Sequence, residues 1–200
     1  MTIKNIVFDL GNVLIEYDPL RIVGEVFDEP GDVKLMVDAI FGSQGWKQID
    51  RGVITFEQHQ DDLVSRFPQY SEEITWLLAH WHESPRIIPG MPEIIQSIHY
   101  AGYDLYLLSN ANSRFYTFAP EIDILEYFKG ITISAELHLL KPEPEIYARF
   151  CEIHDLSPGE CLFIDDMREN VEGAIRSGWQ AHQFENAGSL TVYLENLLEI

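Results

Sequence analysis

The chain has 200 residues, of which 46% are hydrophobic and 23% charged, so it is long enough to bury a substantial apolar interior. Its 33 acidic and 13 basic residues give a formal net charge of −20, which argues against a nucleic-acid partner because phosphate backbones are bound by clustered lysine and arginine. No apolar segment approaches the ~18 residues of a membrane span, and the first residues lack the pattern of a secretory signal. We therefore expect a globular, cytoplasmic protein with no membrane partner.

Short apolar runs between turn residues predict the strands of one sheet. The runs lie at 6–8, 105–108, 131–133 and 161–164, with a weaker one around Phe184. Amphipathic helical patterns separate the later runs, as in Ile94, Ile95 and Ile98 before Gly102. Strands that alternate with helices in this way predict an α/β fold with a parallel sheet and right-handed crossovers.

The segment between the first and second predicted strands is helical instead. Thr55 begins a capping-box pattern, and Ser71 is placed to cap a further helix. We predict a core domain formed by residues 1–15 and 89–200, with an inserted helical domain formed by residues 16–88.

Polar residues that can carry chemistry follow the predicted strands. Because the carboxyl ends of parallel strands meet at one edge of a sheet, where ligands bind in open α/β folds, we expect these residues to lie close together. They are Asp9 after the first run, Ser109 and Asn110 after the second, Lys141 after the third, and Asp165 and Asp166 after the fourth.

The adjacent carboxylates of Asp165 and Asp166 are the most specific local signal. Neighbouring carboxylates behind a buried strand repel each other and lose hydration, which favours a bound cation. The alternative is a helix N-terminus that attracts acidic residues, and it accounts for one aspartate better than for two. Asn170 is placed to orient one of the two carboxylates.

The ordered set of motifs resembles the four motifs of the haloacid dehalogenase-like hydrolases. The segments are Phe8-Asp9-Leu10-Gly11-Asn12, Leu108-Ser109-Asn110, Leu140-Lys141-Pro142 and Ile164-Asp165-Asp166. The resemblance covers almost the whole chain, and it implies a Rossmann-like core with an inserted helical cap of type 1. It further implies a Mg²⁺-dependent phosphatase that hydrolyses a small phosphorylated metabolite through an aspartyl-phosphate.

The same resemblance implies a role for each matching residue. Asp9 would be the nucleophile. The Mg²⁺ ligands would be Asp9, the backbone carbonyl of Gly11, Asp165 and Asp166. Ser109, Asn110 and Lys141 would hold the transferring phosphoryl group, and Lys141 would also offset the charge on Asp9.

One position departs from the motif of most phosphatases in this family, which carry a second aspartate where this chain has Gly11. That aspartate normally protonates the leaving oxygen, so its absence favours substrates whose leaving oxygen departs easily. A sugar 1-phosphate such as glucose 1-phosphate fits, and Asp-Leu-Gly-Asn-Val resembles the branch that includes α-D-glucose-1-phosphate phosphatases. Asp18 or a side chain of the cap would be another source of the proton.

Two other functions remain open at this stage. A haloacid dehalogenase uses the same nucleophilic aspartate on carbon and needs no metal, and a binding or regulatory protein would keep the fold without turnover. Gly11 and the Asp165-Asp166 pair argue against the dehalogenase. In the cap, Arg51 before Gly52 is the residue we predict to contact substrate, whereas Trp46 and Ile49 fit the buried face of a helix.

Overall fold

The computed structural model describes residues 2–83 and 85–198 of the chain. Its centre is a five-stranded parallel sheet in the order β3-β2-β1-β4-β5. The strands are β1 Asn5–Phe8, β2 Asp104–Ser109, β3 Phe128–Ile133, β4 Cys161–Asp165 and β5 Gln180–Gln183. The predicted α/β fold is confirmed, and β1 lies in the middle of the sheet between β2 and β4.

Among the described residues, five α-helices form the segment inserted after β1. They are α1 Pro19–Gly24, α2 Pro30–Ile40, α3 Gln44–Asp50, α4 Phe56–Arg66 and α5 Ser71–His80, with a 3₁₀ turn at Pro68–Tyr70. Thr55 and Gln58 form the predicted capping box at the start of α4. The prediction for Ser71 is wrong, because the 3₁₀ turn leads directly into α5 and makes Ser71 its first helical residue.

These five helices pack around an apolar cluster of their own, which includes Met36, Ile40, Trp46, Leu63 and Leu77. The chain reaches and leaves them through two segments that run side by side. The Glu16 amide donates to the Arg86 carbonyl at 2.8 Å, and the Ile88 amide donates to the Leu14 carbonyl at 2.9 Å. The insertion is therefore connected to the sheet by two chain segments that are hydrogen-bonded to each other.

The remaining helices cover the two faces of the sheet. They are α6 Met91–Tyr100, α7 Phe115–Phe118, α8 Ser134–Leu137, α9 Pro144–His154, α10 Arg168–Arg176 and α11 Ala187–Leu198, with 3₁₀ turns at Ala119–Glu121, Asp123–Tyr127 and Pro158–Glu160. No helix within the described residues is long and apolar enough to cross a bilayer.

The central strands β1, β2 and β4 are buried on both faces, which is why they are apolar runs without polar alternation. Ile6 and Phe8 face α6 and α11 in one cluster, and Val7 faces α9 in the other. Because β1 is buried on both sides, a polar side chain that reacts with a ligand is best placed directly after the carboxyl end of this strand.

Candidate active site

Asp9 lies at the carboxyl end of the central strand. Its amide donates to the Ile164 carbonyl at 2.9 Å, so the ladder between β1 and β4 continues to the residue that carries the carboxylate. The amide of Leu10 donates to Asp9 Oδ1 at 2.7 Å and orients that carboxylate. The strand order thus places Asp9 between the polar ends of β2 and β4.

Lys141 joins the motifs through a fully buried ammonium group. Its Nζ lies 2.8 Å from Asp9 Oδ1 and 2.7 Å from Asp165 Oδ2, and it donates to the Leu108 carbonyl at 3.1 Å. All three donor positions of the ammonium therefore have partners, and the lysine is fixed between the ends of three strands.

The pKa shifts in this cluster follow from burial and charge. Burial raises the pKa of Asp9 above its ordinary value by more than the Lys141 charge lowers it. Burial alone would lower the pKa of Lys141, but the charges of Asp9 and Asp165 raise it above its usual range. The ammonium stays charged, and a second cation beside Asp9 would favour its ionised, nucleophilic form.

Asp165 and Asp166 have different surroundings. Asp165 is buried, and its two oxygens accept from the Met167 amide, Lys141 Nζ and the Asn170 side chain at 2.7–3.1 Å. Asp166 is half-buried, and its carboxylate has fewer hydrogen-bond partners among the described residues than the Asp165 carboxylate has. Burial and the charge of Asp165 raise the pKa of Asp166. Asp166 therefore has more free oxygen lone pairs than Asp165.

The three acidic residues form a donor set that fits a divalent cation. One carboxylate oxygen from each of Asp9, Asp165 and Asp166 lies within 4.8 Å of the others. Hard cations such as Mg²⁺ prefer carboxylate and carbonyl oxygens. Within the described residues the only ammonium that touches this set is Lys141, which leaves negative charge for a cation to neutralise.

Ser109 and Asn110 lie beside this cluster at the end of β2. Ser109 is buried. The side chain of Asn110 accepts from the Lys141 amide at 2.8 Å and donates to the Lys141 carbonyl at 3.0 Å. Asn110 thereby holds the loop that presents Lys141, which links the second motif to the third.

Gly11 lies close to the ring of Tyr17. A Cβ atom on Gly11 would be 3.5 Å from Tyr17 Cβ and 3.8 Å from Tyr17 Cγ. Such a Cβ would make ordinary van der Waals contacts with the base of the Tyr17 side chain.

Arg51 forms an ion pair with Glu143, the residue two positions after Lys141. The two terminal nitrogens of the Arg51 guanidinium, Nη1 and Nη2, each donate to one oxygen of the Glu143 carboxylate. About a third of each side chain is exposed. His138 Nδ1 also lies 3.0 Å from the Arg51 carbonyl, and the adjacent Gly52 leaves no room for a Cβ against Ala135. The loop after α3 is therefore docked on the segment that leads to the third motif.

Asp50 and Asn112 are polar partners whose role the sequence did not indicate. The Asn112 side chain donates to Asp50 Oδ1 at 2.9 Å, and Ser134 Oγ donates to the Asp50 carbonyl at 2.5 Å. Burial raises the pKa of Asp50 to about 7, even though the Asn112 hydrogen bond lowers it. A carboxyl group whose pKa lies near neutral pH is therefore hydrogen-bonded to the loop after Ser109.

A cavity of about 520 Å³ lies next to this pair. Its walls include Ile49 and Gly52 from around Asp50, and Ser113 and Arg114 from the residues after Asn112. None of the Asp9, Lys141 and Asp165 cluster lines it. The cavity is therefore bounded by sequence neighbours of Asp50 and Asn112, and neither of these two residues lines it.

Comparison with known proteins identifies relatives along the whole chain. A sequence model of the haloacid dehalogenase-like hydrolases matches residues 3–178. The chain is 28% identical to D-ribitol-5-phosphate phosphatase from Bacteroides thetaiotaomicron, over 97% of this chain and 100% of that protein. It is 24% identical to phosphoglycolate phosphatase from Vibrio vulnificus strain YJ016, over 88% of this chain and 81% of that protein.

Solved structures share the fold. A haloacid dehalogenase family enzyme from Bacteroides thetaiotaomicron, in complex with magnesium and inorganic phosphate, superposes with a TM-score of 0.71 at 24% identity. The match covers 92% of this chain and 95% of that enzyme. A dehalogenase superposes with a TM-score of 0.75 at 18% identity, over 96% and 97% of the two chains.

Proposed function

Because the chain belongs to the haloacid dehalogenase-like hydrolase family, we propose that it is a Mg²⁺-dependent phosphoric monoester hydrolase acting on a small phosphorylated metabolite. The observation that carries this proposal is the Lys141 ammonium fixed between Asp9 and Asp165, with Asp166 beside them. Relatives named as phosphatases support the same reaction class.

Asp9 is the nucleophile in this proposal. Its carboxylate attacks phosphorus, forms an aspartyl-phosphate and releases the alcohol, and water then hydrolyses the acyl phosphate. Lys141 offsets the negative charge of Asp9 and of the phosphoryl group, while Ser109 and the backbone amides near it hold the phosphoryl oxygens. Asn110, predicted to bind substrate, contributes through the Lys141 loop that it holds.

Asp9, Asp166, Asp165 and the Gly11 carbonyl are the groups that would hold Mg²⁺. Bound Mg²⁺ supplies positive charge that neutralises the phosphate and lowers the pKa of the nucleophilic carboxylate. Asp166 has the fewest protein partners and is the better direct ligand, whereas Asp165 is occupied with Lys141 and Asn170.

Residues 16–88 are the proposed cap domain, of type 1, above this site. Their separate apolar cluster and their two adjacent connections to the core suit a body that moves as a unit. Arg51 remains our candidate for a cap residue that contacts substrate. In the structure its guanidinium pairs with Glu143, so a substrate would have to share or replace that partner.

The substrate is proposed to be a sugar phosphate or a molecule of similar size. Glucose 1-phosphate has an easily departing anomeric oxygen, which suits a site with glycine at position 11. D-ribitol 5-phosphate, the compound in the name of a relative that matches 97% of this chain, has an ordinary alcohol as its leaving group. Comparison of these two compounds therefore tests how strongly the enzyme depends on the leaving oxygen.

A haloacid dehalogenase is the second candidate. (S)-2-haloacid dehalogenase 4A from Burkholderia cepacia is 26% identical over 52% of this chain, which favours testing it. The acidic cluster around Asp9 argues against it, because displacement of halide from carbon by a carboxylate needs no metal. A binding or regulatory role would require the Asp9 site to be inactive.

One assay separates the three functions. Phosphate release is measured for a panel of sugar phosphates, nucleotides and phosphorylated acids, with Mg²⁺ and with EDTA, and halide release is measured for a 2-haloacid. We expect phosphate release that requires Mg²⁺ and is lost in Asp9→Asn. Halide release without Mg²⁺ would identify a dehalogenase, and no turnover of any compound would favour the binding protein.

A further inference from the structure

We propose that Asp50 is the general acid and base of the phosphatase, in place of the aspartate that is absent at position 11. This inference rests on the proposed function, since it assigns the proton transfers of that reaction. Under this proposal the inserted helical domain contributes a catalytic side chain, Asp50, and also controls access to the site.

Tyr17 connects position 11 to Asp50. The Cβ and Cγ atoms of Tyr17 lie against Gly11, on the side from which a Gly11 Cβ would project. Burial raises the pKa of the Tyr17 hydroxyl, and the charge of the Asp50 carboxylate raises it further. Tyr17 therefore lies against position 11 with its Cβ and Cγ atoms and interacts electrostatically with Asp50.

Asn112 fixes the orientation of the Asp50 carboxyl. The Asn112 side-chain nitrogen donates to Asp50 Oδ1, and its oxygen accepts from the Arg114 amide at 3.2 Å, which sets the direction of the amide group. Since Oδ1 accepts a hydrogen bond, the proton of a neutral Asp50 belongs on Oδ2. Asn112 follows Ser109 by three residues, so this pair adjoins the loop that is proposed to hold the phosphoryl oxygens.

The surroundings of Asp50 raise the pKa of its carboxyl group to about 7. The Asn112 amide donates to the carboxyl group, Ser134 donates to the backbone carbonyl of Asp50, and both partners are uncharged. The neighbouring cation Arg51 is paired with Glu143. Arg114 lies over the ring of Phe56, with its guanidinium carbon 4.5 Å from the ring centre. A carboxyl group whose pKa lies near the working pH suits both donation and acceptance of a proton.

Asp18, the other acidic residue considered from the sequence, has a different use. Its Oδ1 accepts from the amides of Leu20 at 3.0 Å and Arg21 at 3.1 Å, which caps α1, and the residue is exposed. The Asp18 carboxylate is therefore engaged at the start of α1, whereas the Asp50 carboxyl contacts the loop that follows Ser109.

The proton moves in both halves of the reaction. In the first half the Asp9 carboxylate bonds to phosphorus, the bond from phosphorus to the leaving oxygen breaks, and that oxygen takes the proton from Asp50 Oδ2. In the second half a water oxygen bonds to phosphorus, its proton returns to Asp50, and the bond from phosphorus to Asp9 breaks. Alcohol and phosphate are released, and both carboxyl groups regain their starting states.

The test compares wild type, Asp50→Asn, Asp18→Asn and Asp61→Asn in the full chain. Asn at position 50 can still accept the Asn112 hydrogen bond, and Asp61 is an exposed aspartate of α4 that serves as the matched control. Rapid-mixing experiments follow product release from p-nitrophenyl phosphate, which has a good leaving group, and from alkyl phosphates, which have poor ones.

We expect Asp50→Asn to lower alkyl phosphate cleavage by roughly 10²–10³-fold, a typical loss of general acid–base catalysis. The first turnover of p-nitrophenyl phosphate should change much less, giving a burst equal to the enzyme concentration followed by slow turnover. The ¹³C carboxyl resonance of Asp50, identified by its absence in Asp50→Asn, should titrate near pH 7 in EDTA.

Other results would overturn the assignment. An equal loss for all leaving groups, no loss for any of them, or a resonance that titrates at the ordinary aspartate pKa would each exclude Asp50. The same pattern in Asp18→Asn would move the role to Asp18. Failure of the proposed function is distinct, because wild type would then release no phosphate from any substrate.

Discussion

Replacement of Asp50 by Asn should stabilise the folded protein at alkaline pH. Burial raises the pKa of Asp50 from 3.8 to about 7. Between these pH values the unfolded chain has released the proton and the folded chain retains it, so the free energy of unfolding falls as pH rises. Each unit of pKa difference corresponds to about 1.36 kcal/mol, so above pH 7 the carboxylate lowers stability by at most about 4 kcal/mol.

The measurement is urea unfolding of wild type and Asp50→Asn in EDTA, from about pH 5.5 to about pH 8.5. The difference in free energy of unfolding between the two proteins should grow by about 1.36 kcal/mol for each pH unit, which gives about 2 kcal/mol between about pH 5.5 and pH 7. Above about pH 7 the difference should level off. Asp9 contributes to both proteins and cancels in the difference. Asp61→Asn, at an exposed aspartate, is measured alongside as the matched control. A constant difference for Asp50→Asn would refute the reasoning, because the carboxyl group would then titrate alike in both states.

Three further predictions concern the charged cluster and the cap. Asp9→Asn should reduce phosphate release to background while circular dichroism and the unfolding midpoint show an intact fold; appreciable turnover would exclude the covalent mechanism. Asp166→Ala should raise the Mg²⁺ concentration needed for activity more than Asp165→Ala does. For Asp165→Ala we expect a rise of ~10–100-fold, which is typical of losing a group that only supports the direct ligands. The reverse order would make Asp165 the direct ligand. Arg51→Ala should raise KM more than Glu143→Gln does, because Arg51 is the proposed contact with substrate and Glu143 acts only through a partly exposed ion pair, whose loss costs less than ~10-fold. Equal increases in KM, with a double variant that matches the single ones, would show that Arg51 acts only through the ion pair.

The sequence by itself determined the sheet and the order of the motifs. Strands buried on both faces need continuous apolar runs, so β1, β2 and β4 were visible without structure. Asp9, Ser109 and Asp165 follow these strands directly, and parallel strands bring their carboxyl ends to one edge. The chemistry at that edge was therefore predictable from local pattern and one topological rule.

Only the tertiary structure decided which groups surround the missing side chain at position 11. Asp50 and Asn112 are 62 residues apart, and Arg51 and Glu143 are 92 apart. No periodic pattern marks such pairs, because Asp50, Arg51 and Glu143 lie at helix ends and Asn112 lies in a loop, where neither 3.6-residue nor 2-residue spacing identifies a partner. The ordinary pKa of an aspartate is set by water, and burial between two packed segments removes that water. Whether Asp50 is an exposed carboxylate or a neutral acid therefore depended on how the inserted helices dock on the sheet.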